Sequence, residues 1–434
     1  MNYYSTNNQA PIADLHKAVV KGLAEDRGLY MPEKINKLPK EFFDNIEKMS
    51  FQEIAYTVAS AFFGEDVDPD ALHDIVYDTL QFDCPVVNVK DNIYTLELFH
   101  GPTLAFKDVG ARFMARLLQY FIKQENNHKE VNVLVATSGD TGSAVANGFL
   151  GVDGIHVYVL YPKGKVSPIQ ECQFTTLGKN ITAIEVDGVF DDCQALVKNA
   201  FMDAELNEHM KLTSANSINV ARFLPQAFYY FNAYARMKEQ GKADNLVMCV
   251  PSGNFGNICA ALFGHEMGLP IKRFIAANNA NDIFYNYLQT GKYEPKPSKQ
   301  TLANAMDVGD PSNFARIYDL YGKSHAKITS LISGATYSDE QIKATMRECH
   351  KDSGYILDPH GACGYQALKD GLQAGEVGVF CETAHPAKFK EKVDDILGID
   401  VAIPERLAAF MRGEKQSVAM TKNFADFKAY LMKR

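Results

Sequence analysis

From about residue 86 onward the chain alternates short apolar, β-branched runs with stretches of helical periodicity. Ile-Tyr-Thr-Leu-Glu-Leu-Phe at 93–99, Val-Asn-Val-Leu-Val-Ala at 131–136, Ile-His-Val-Tyr-Val-Leu at 155–160 and Ile-Thr-Ala-Ile-Glu-Val at 181–186 read as strands. Helical stripes at 142–149, 168–177 and 192–202 follow the last three. Strands that return about every 25 residues with helices between them are the pattern of βαβ units and a parallel sheet. A long helical stretch at 217–238 precedes a second series of apolar runs at 245–250, 271–276 and 377–380. Two such series predict two α/β lobes with mainly parallel sheets and flanking helices, with ligands at the carboxyl ends of the strands.

The first 80 or so residues differ. The stretch 14–24 carries Leu15, Ala18, Val19 and Leu23 on one helical stripe. A second amphipathic helix is expected at 50–63, with Ser50 as N-cap and Glu53 three residues on. The expected division is a mostly helical N-terminal domain at 1–90, a smaller α/β lobe at 91–235 and a larger one at 236–434. A chain of 434 residues is long enough for two or three cores.

Composition narrows the classes without naming one. Hydrophobic residues make up 46% and charged ones 22%, the balance of a globular protein. A net charge of −9 with no basic block argues against non-specific nucleic-acid binding. The eight cysteines form no C-x-x-C pair, and several sit in apolar runs as small buried hydrophobes do. That usage suits a reducing cytoplasm. No apolar run reaches the roughly 18 residues of a membrane span, and the N-terminus has no signal-peptide pattern. The eleven histidines show no metal-ligating spacing, so no metal is expected.

Three loops between expected strands and helices carry the candidate chemistry. Ser252-Gly253-Asn254-Phe255-Gly256-Asn257 puts two glycines before a helix, where free N–H groups and the helix dipole suit a phosphate. The glycine pattern alone fits an ordinary turn equally well. Thr137-Ser138-Gly139-Asp140-Thr141-Gly142 presents hydroxyls and N–H groups together, fit for a carboxylate or phosphate, or simply for capping a helix. Gly101-Pro-Thr-Leu-Ala-Phe-Lys107-Asp108 sets a lysine in an apolar run before a helix with Phe113, Met114, Leu117 and Leu118. Most lysines are solvated. A desolvated one is a usable amine nucleophile or base.

Together and in this order, the three loops resemble those of the fold-type II pyridoxal-phosphate enzymes related to tryptophan synthase β. Longer words resemble the threonine synthase family in its bacterial and fungal form. They are Leu-Glu-Leu-Phe-His-Gly-Pro-Thr-Leu-Ala-Phe-Lys-Asp (96–108), Ala-Thr-Ser-Gly-Asp-Thr-Gly (136–142), Ser-Ala-Asn-Ser-Ile-Asn-Val-Ala-Arg (214–222), Val-Pro-Ser-Gly-Asn-Phe-Gly-Asn (250–257) and Thr-Ala-His-Pro-Ala-Lys-Phe (383–389), with Gly28–Pro32 and Asn304–Val308 besides. The likeness runs from about residue 15 to 400.

The resemblance implies that Lys107 holds pyridoxal 5'-phosphate as a Schiff base and later moves protons. It implies that Gly253, Asn254, Phe255, Gly256 and Asn257 hold the cofactor phosphate, that Thr383 faces the pyridine nitrogen and that Asp140 stands near the phenolic oxygen. Thr137, Ser138 and Thr141 would receive the substrate carboxylate, and Asn216, Ser217, Asn219 and Arg222 the substrate phosphate. A threonine hydroxyl cannot protonate the ring as a carboxylate would. Asp140 is expected to favour a protonated phenolic oxygen or to be protonated itself. The implied reaction converts O-phospho-L-homoserine and water to L-threonine and phosphate, by γ-elimination and β-addition of water. The rivals are a phospho-lyase that releases a keto acid and a catalytically silent binding relative. A cytoplasmic monomer or homodimer is expected.

Other features have plainer readings. His385 and His360 lie in Thr-Ala-His-Pro and Asp-Pro-His-Gly turns and could be site residues, though their spacing gives no metal case. The pairs Asp191-Asp192 and Asp394-Asp395 suit helix capping or solvent. The aromatic run Phe228-Tyr-Tyr-Phe231 suits a core.

Overall fold

A computed structural model describes residues 1–434, which divide into two compact units. The first contains 31–106 and 223–402; the second contains 2–30, 107–222 and 403–434. Each is thus assembled from separated pieces of chain, because strand pairing does not follow the sequential division 1–90, 91–235 and 236–434.

The first unit is built on a six-stranded sheet. From one edge its strands are Ile332–Thr336, Arg273–Asn278, Leu246–Pro251, Val377–Glu382, Ile93–Glu97 and Val86–Lys90. All neighbours are parallel except the last pair, an antiparallel hairpin with a register shift near Asn88. Every residue of Leu246–Pro251 is buried, as expected of a central parallel strand covered on both faces. The helical stretch expected at 217–238 is interrupted. A single turn, Val220–Phe223, passes into a 3-10 turn at Leu224–Gln226 before the helix Ala227–Glu239 begins. Pro225, which cannot donate a helical hydrogen bond, accounts for the break.

The second unit has a five-stranded, wholly parallel sheet in the order Val418–Thr421, Ile181–Asp187, Ile155–Pro162, Val131–Ala136, Lys211–Ser214. Helices Asp140–Phe149, Pro168–Thr175 and Phe190–Met202 connect its strands. Its core packs Leu134, Leu160, Ile184 and Leu196 with Phe427 and Leu431 of the final helix. The helix Lys107–Gln124 buries Phe113, Met114, Leu117 and Leu118, the expected stripe. A Cβ on Gly110 would lie 2.3 Å from the Arg222 carbonyl, so only glycine admits that close approach.

In the N-terminal region Ser50 caps the helix Phe51–Phe63 through the Glu53 N–H, as its spacing predicts. The same region also holds a short antiparallel pair, Asn2–Ser5 with Ala13–Asp14, too brief to leave a periodic trace. Asp192 accepts the Val189 N–H and so caps the start of the helix Phe190–Met202; Asp394, inside the helix Lys390–Leu397, instead holds the Val401 N–H of the following loop and pairs with Lys390. No helix is long and apolar enough to cross a membrane. All eight cysteines are unpaired and seven are buried.

Candidate active site

In the first unit three neighbouring strands deliver their carboxyl ends to one place, the usual ligand position in an open parallel sheet. Leu246–Pro251 leads into the loop 252–257, Val377–Glu382 leads into Thr383, and Ile93–Glu97 leads into the segment 98–106. That segment is laid against the end of its neighbour strand. Leu98 N–H donates to Glu382 O (3.0 Å), Phe106 N–H to Thr383 O (2.8 Å) and His385 N–H to Leu104 O (3.0 Å). The Tyr229 hydroxyl donates to Phe106 O at 2.6 Å. The residue before Lys107 is therefore fixed on both of its peptide groups, one of them beside Thr383.

The loop 252–257 has the form of an anion cradle. It opens the 11-residue helix Gly256–Glu266, and Phe255 takes a left-handed conformation with φ 68°. Leu104, three residues before Lys107, is left-handed as well, with φ 62°. Such backbone costs about 1–3 kcal/mol per residue and gathers at functional sites. A Cβ on Gly253 would meet Ala305 O at 2.7 Å and Met306 Cα at 2.8 Å. Asn254 accepts the Ser312 N–H on its side chain (2.7 Å) and the Asn313 N–H on its carbonyl (3.3 Å). Asn257 accepts the Tyr230 hydroxyl, while its own Nδ2 is buried without a protein partner. An orphaned buried donor in a glycine loop at a helix start fits a phosphate group.

The aromatic run 228–231 is core, as expected, with all four side chains fully buried. Its Tyr229 and Tyr230 hydroxyls nonetheless brace Phe106 and Asn257. Nothing in the spacing of those tyrosines distinguishes a hydroxyl that supports a site from one merely satisfied in a core.

In the second unit the loop after Val131–Ala136 lies beside the segment that follows Lys211–Ser214, at the same end of two paired parallel strands. Thr137 is wholly buried, and its hydroxyl accepts the N–H groups of Gly139 and Gly142, closing the loop on itself. Asp140 starts the helix Asp140–Phe149 and accepts from Gln170 Nε2 at 2.9 Å. Ser138 and Thr141 are part-exposed. Asn216 bridges both backbone groups of Ala136. Asn219 gives its amide to Val19 O and Ser214 O and accepts the Ala221 N–H, so it is fully engaged in the fold. Arg222 is buried and donates to Ala215 O. Ser217 is half-buried on the same segment.

Behind the first unit's strand ends lies a polar network that no spacing rule brings out. Asp307 accepts from Thr301, Asn279 and Asn281. Burial nevertheless pushes its carboxyl up to about 6 from an ordinary 3.8. A carboxyl raised on folding contributes stability that is present below about pH 4 and lost as pH rises through 6. Asp307→Asn should therefore gain stability relative to the parent between pH 4 and pH 7, by up to about 3 kcal/mol. Urea midpoints for both proteins at the two pH values check this; a difference that does not change with pH would refute it. Burial, with the charge of His100, holds His385 at about 4, so its ring is neutral near pH 7; its Nδ1 accepts the Ala387 N–H.

Comparison with known proteins shows which family the chain belongs to. Residues 82–381 match the family described as pyridoxal-phosphate dependent enzyme. Residues 2–80 match the threonine synthase N terminus, and 361–431 the threonine synthase C-terminal family. The chain belongs to the threonine synthase family of pyridoxal-phosphate-dependent enzymes. It is 44% identical to threonine synthase of Haemophilus influenzae over 433 residues, all of both chains. The crystal structure of threonine synthase from Escherichia coli superimposes with a TM-score of 0.94 at 42% identity, covering both chains fully. The pyridoxal-phosphate-bound threonine synthase of Brucella melitensis gives 0.91 at 34% identity, over 100% of this chain and 99% of that one.

Proposed function

We propose that this chain converts O-phospho-L-homoserine and water to L-threonine and phosphate, using pyridoxal 5'-phosphate held through Lys107. The observation that carries the reading is the loop 252–257, whose left-handed Phe255, crowded Gly253 and orphaned Asn257 amide form a phosphate cradle within a full-length likeness to threonine synthases. When bound, the cofactor supplies the electron sink that makes carbanion chemistry at the substrate accessible.

The chain's own residues do the rest. The Lys107 amine would anchor the cofactor and, once free, would accept the α-proton, move a β-proton and return a proton to Cα. Thr383 would offer a neutral hydroxyl to the pyridine nitrogen, which would leave the ring a weaker sink and favour elimination over transamination. Asp140 would be the carboxyl offered to the phenolic oxygen. The helix start at Asp140, with the Ser138 and Thr141 hydroxyls, receives the substrate carboxylate. Thr137 supports that role by shaping the loop. Of the four residues assigned to the substrate phosphate, Asn216, Asn219 and Arg222 each give a hydrogen bond to a backbone carbonyl, and Arg222 alone carries the charge that a phosphate would favour. We infer further a cytoplasmic monomer or homodimer acting on a small molecule: the acidic charge argues against non-specific nucleic-acid binding and the buried thiols suit a reducing compartment.

Product analysis with O-phospho-L-homoserine and pyridoxal phosphate tests the reading. Threonine and phosphate in equal amounts are expected. 2-Oxobutyrate in place of threonine would make the chain a phospho-lyase instead. No turnover by cofactor-loaded protein would make it a silent relative.

A further inference from the structure

The turn Asp358-Pro-His360-Gly361 lies at the head of the helix Pro359–Gly371, with Asp358, His360 and Glu382 all buried. Asp358 caps the helix, accepting the N–H groups of Gly361 (2.8 Å) and His360 (3.3 Å). Its Oδ2 also lies 2.5 Å from His360 Nδ1. The other ring nitrogen, Nε2, accepts the Ala305 N–H at 3.1 Å. An imidazole nitrogen that accepts carries no proton, so the ring proton sits on Nδ1 and points at Asp358. At the opposite side, the Asp358 N–H donates to Glu382 Oε1 at 2.8 Å, and Glu382 is the residue before Thr383. Burial, reinforced by the Asp358 charge, drives the Glu382 carboxyl far up. A Cβ on Gly361 would fall 1.9 Å from Glu382 Oε2, so glycine is what lets the helix head approach this strand end.

Ala305 is the residue whose carbonyl crowds Gly253, with Met306 beside it. The hydrogen bond from Ala305 to His360 therefore fixes the wall against which the first glycine of the loop 252–257 rests. We propose that His360 is a positioning residue for the cofactor phosphate: held by Asp358, it sets Ala305 and so the shape of the loop. The same network, through Asp358 and Glu382, ties that wall to the strand end carrying Thr383. The proposal rests on reading 252–257 as the phosphate cradle.

Two substitutions separate positioning from packing, because each keeps half of the imidazole's bonding. In His360→Gln the carboxamide reaches the place of Nε2 and can still accept from Ala305. In His360→Asn the shorter amide replaces Nδ1, can still donate to Asp358, and leaves the Ala305 N–H without its acceptor. The full chain, freed of cofactor, is titrated with 4'-deoxypyridoxine 5'-phosphate, which has no aldehyde and cannot bond to Lys107, and with unphosphorylated 4'-deoxypyridoxine. His360→Asn is expected to weaken the phosphorylated probe about tenfold and His360→Gln less than about threefold. The unphosphorylated probe should bind all three proteins alike. Equal binding of the phosphorylated probe by both variants, or parallel losses for both probes, would overturn the positioning role and leave the cradle reading intact. A parent that does not distinguish the two probes overturns the cradle reading, and this proposal with it. Amide exchange on the parent needs no variant: the phosphorylated probe should protect 252–257 and 303–307 together, and protection of the loop alone would refute the link.

Discussion

Lys107→Ala is expected to remove the visible absorbance of the lysine-bound cofactor and to lower turnover by about 10²–10⁴-fold through lost proton transfer alone. Loss of the covalent anchor adds to that. The fold should survive. Lys107 is the first residue of an 18-residue helix whose stability comes from the buried stripe Phe113, Met114, Leu117 and Leu118, and alanine is the strongest helix former. Spectra of the reconstituted variant, with a thermal midpoint as control, give the answer. A variant that keeps the chromophore, or loses less than about tenfold in turnover, would remove Lys107 from its assigned role.

Gly253→Ala is expected to weaken cofactor binding by about 10–100-fold. The added methyl would meet two backbone atoms under 3 Å, the Ala305 carbonyl oxygen and the Met306 Cα, neither of which can swing aside as a side chain does. Overpacking of this kind costs roughly 1–3 kcal/mol. The loop is also held at Asn254 by Ser312 and Asn313, so the strain falls on the cradle itself. Gly264→Ala is the control. It lies on the helix that follows the same loop, where the added methyl meets a phenylalanine side chain at 3.1 Å, and should change affinity little. Equal losses in the two variants would assign the effect to helix packing.

The sheets were legible because their strands are central. Val131–Ala136 and Leu246–Pro251 are buried on both faces, so each appears as an unbroken apolar run between turn signals. Val418–Thr421 is half exposed, lies at a sheet edge and pairs with a strand more than 200 residues earlier, and no local pattern encodes that. Lys107, the loop 252–257 and Thr383 were likewise open to inspection, each part of a contiguous word at a strand end. The supports were not. Tyr230 meets Asn257, and His360 meets Ala305, across long gaps in sequence. A hydrogen bond of that kind is a property of the packed fold, and leaves no periodicity or motif behind it.

The pairing of Val418–Thr421 with Ile181–Asp187 also has a bearing on how the protein is made. A ribosome releases the strand Ile181–Asp187 with its neighbours roughly 12 to 46 seconds before their last partner, at about 5–20 residues per second. Until then the apolar face later covered by Phe427 and Leu431 stays open to water and to other nascent chains. Chaperone demand during synthesis should therefore peak in that interval and fall once the final thirty or so residues emerge.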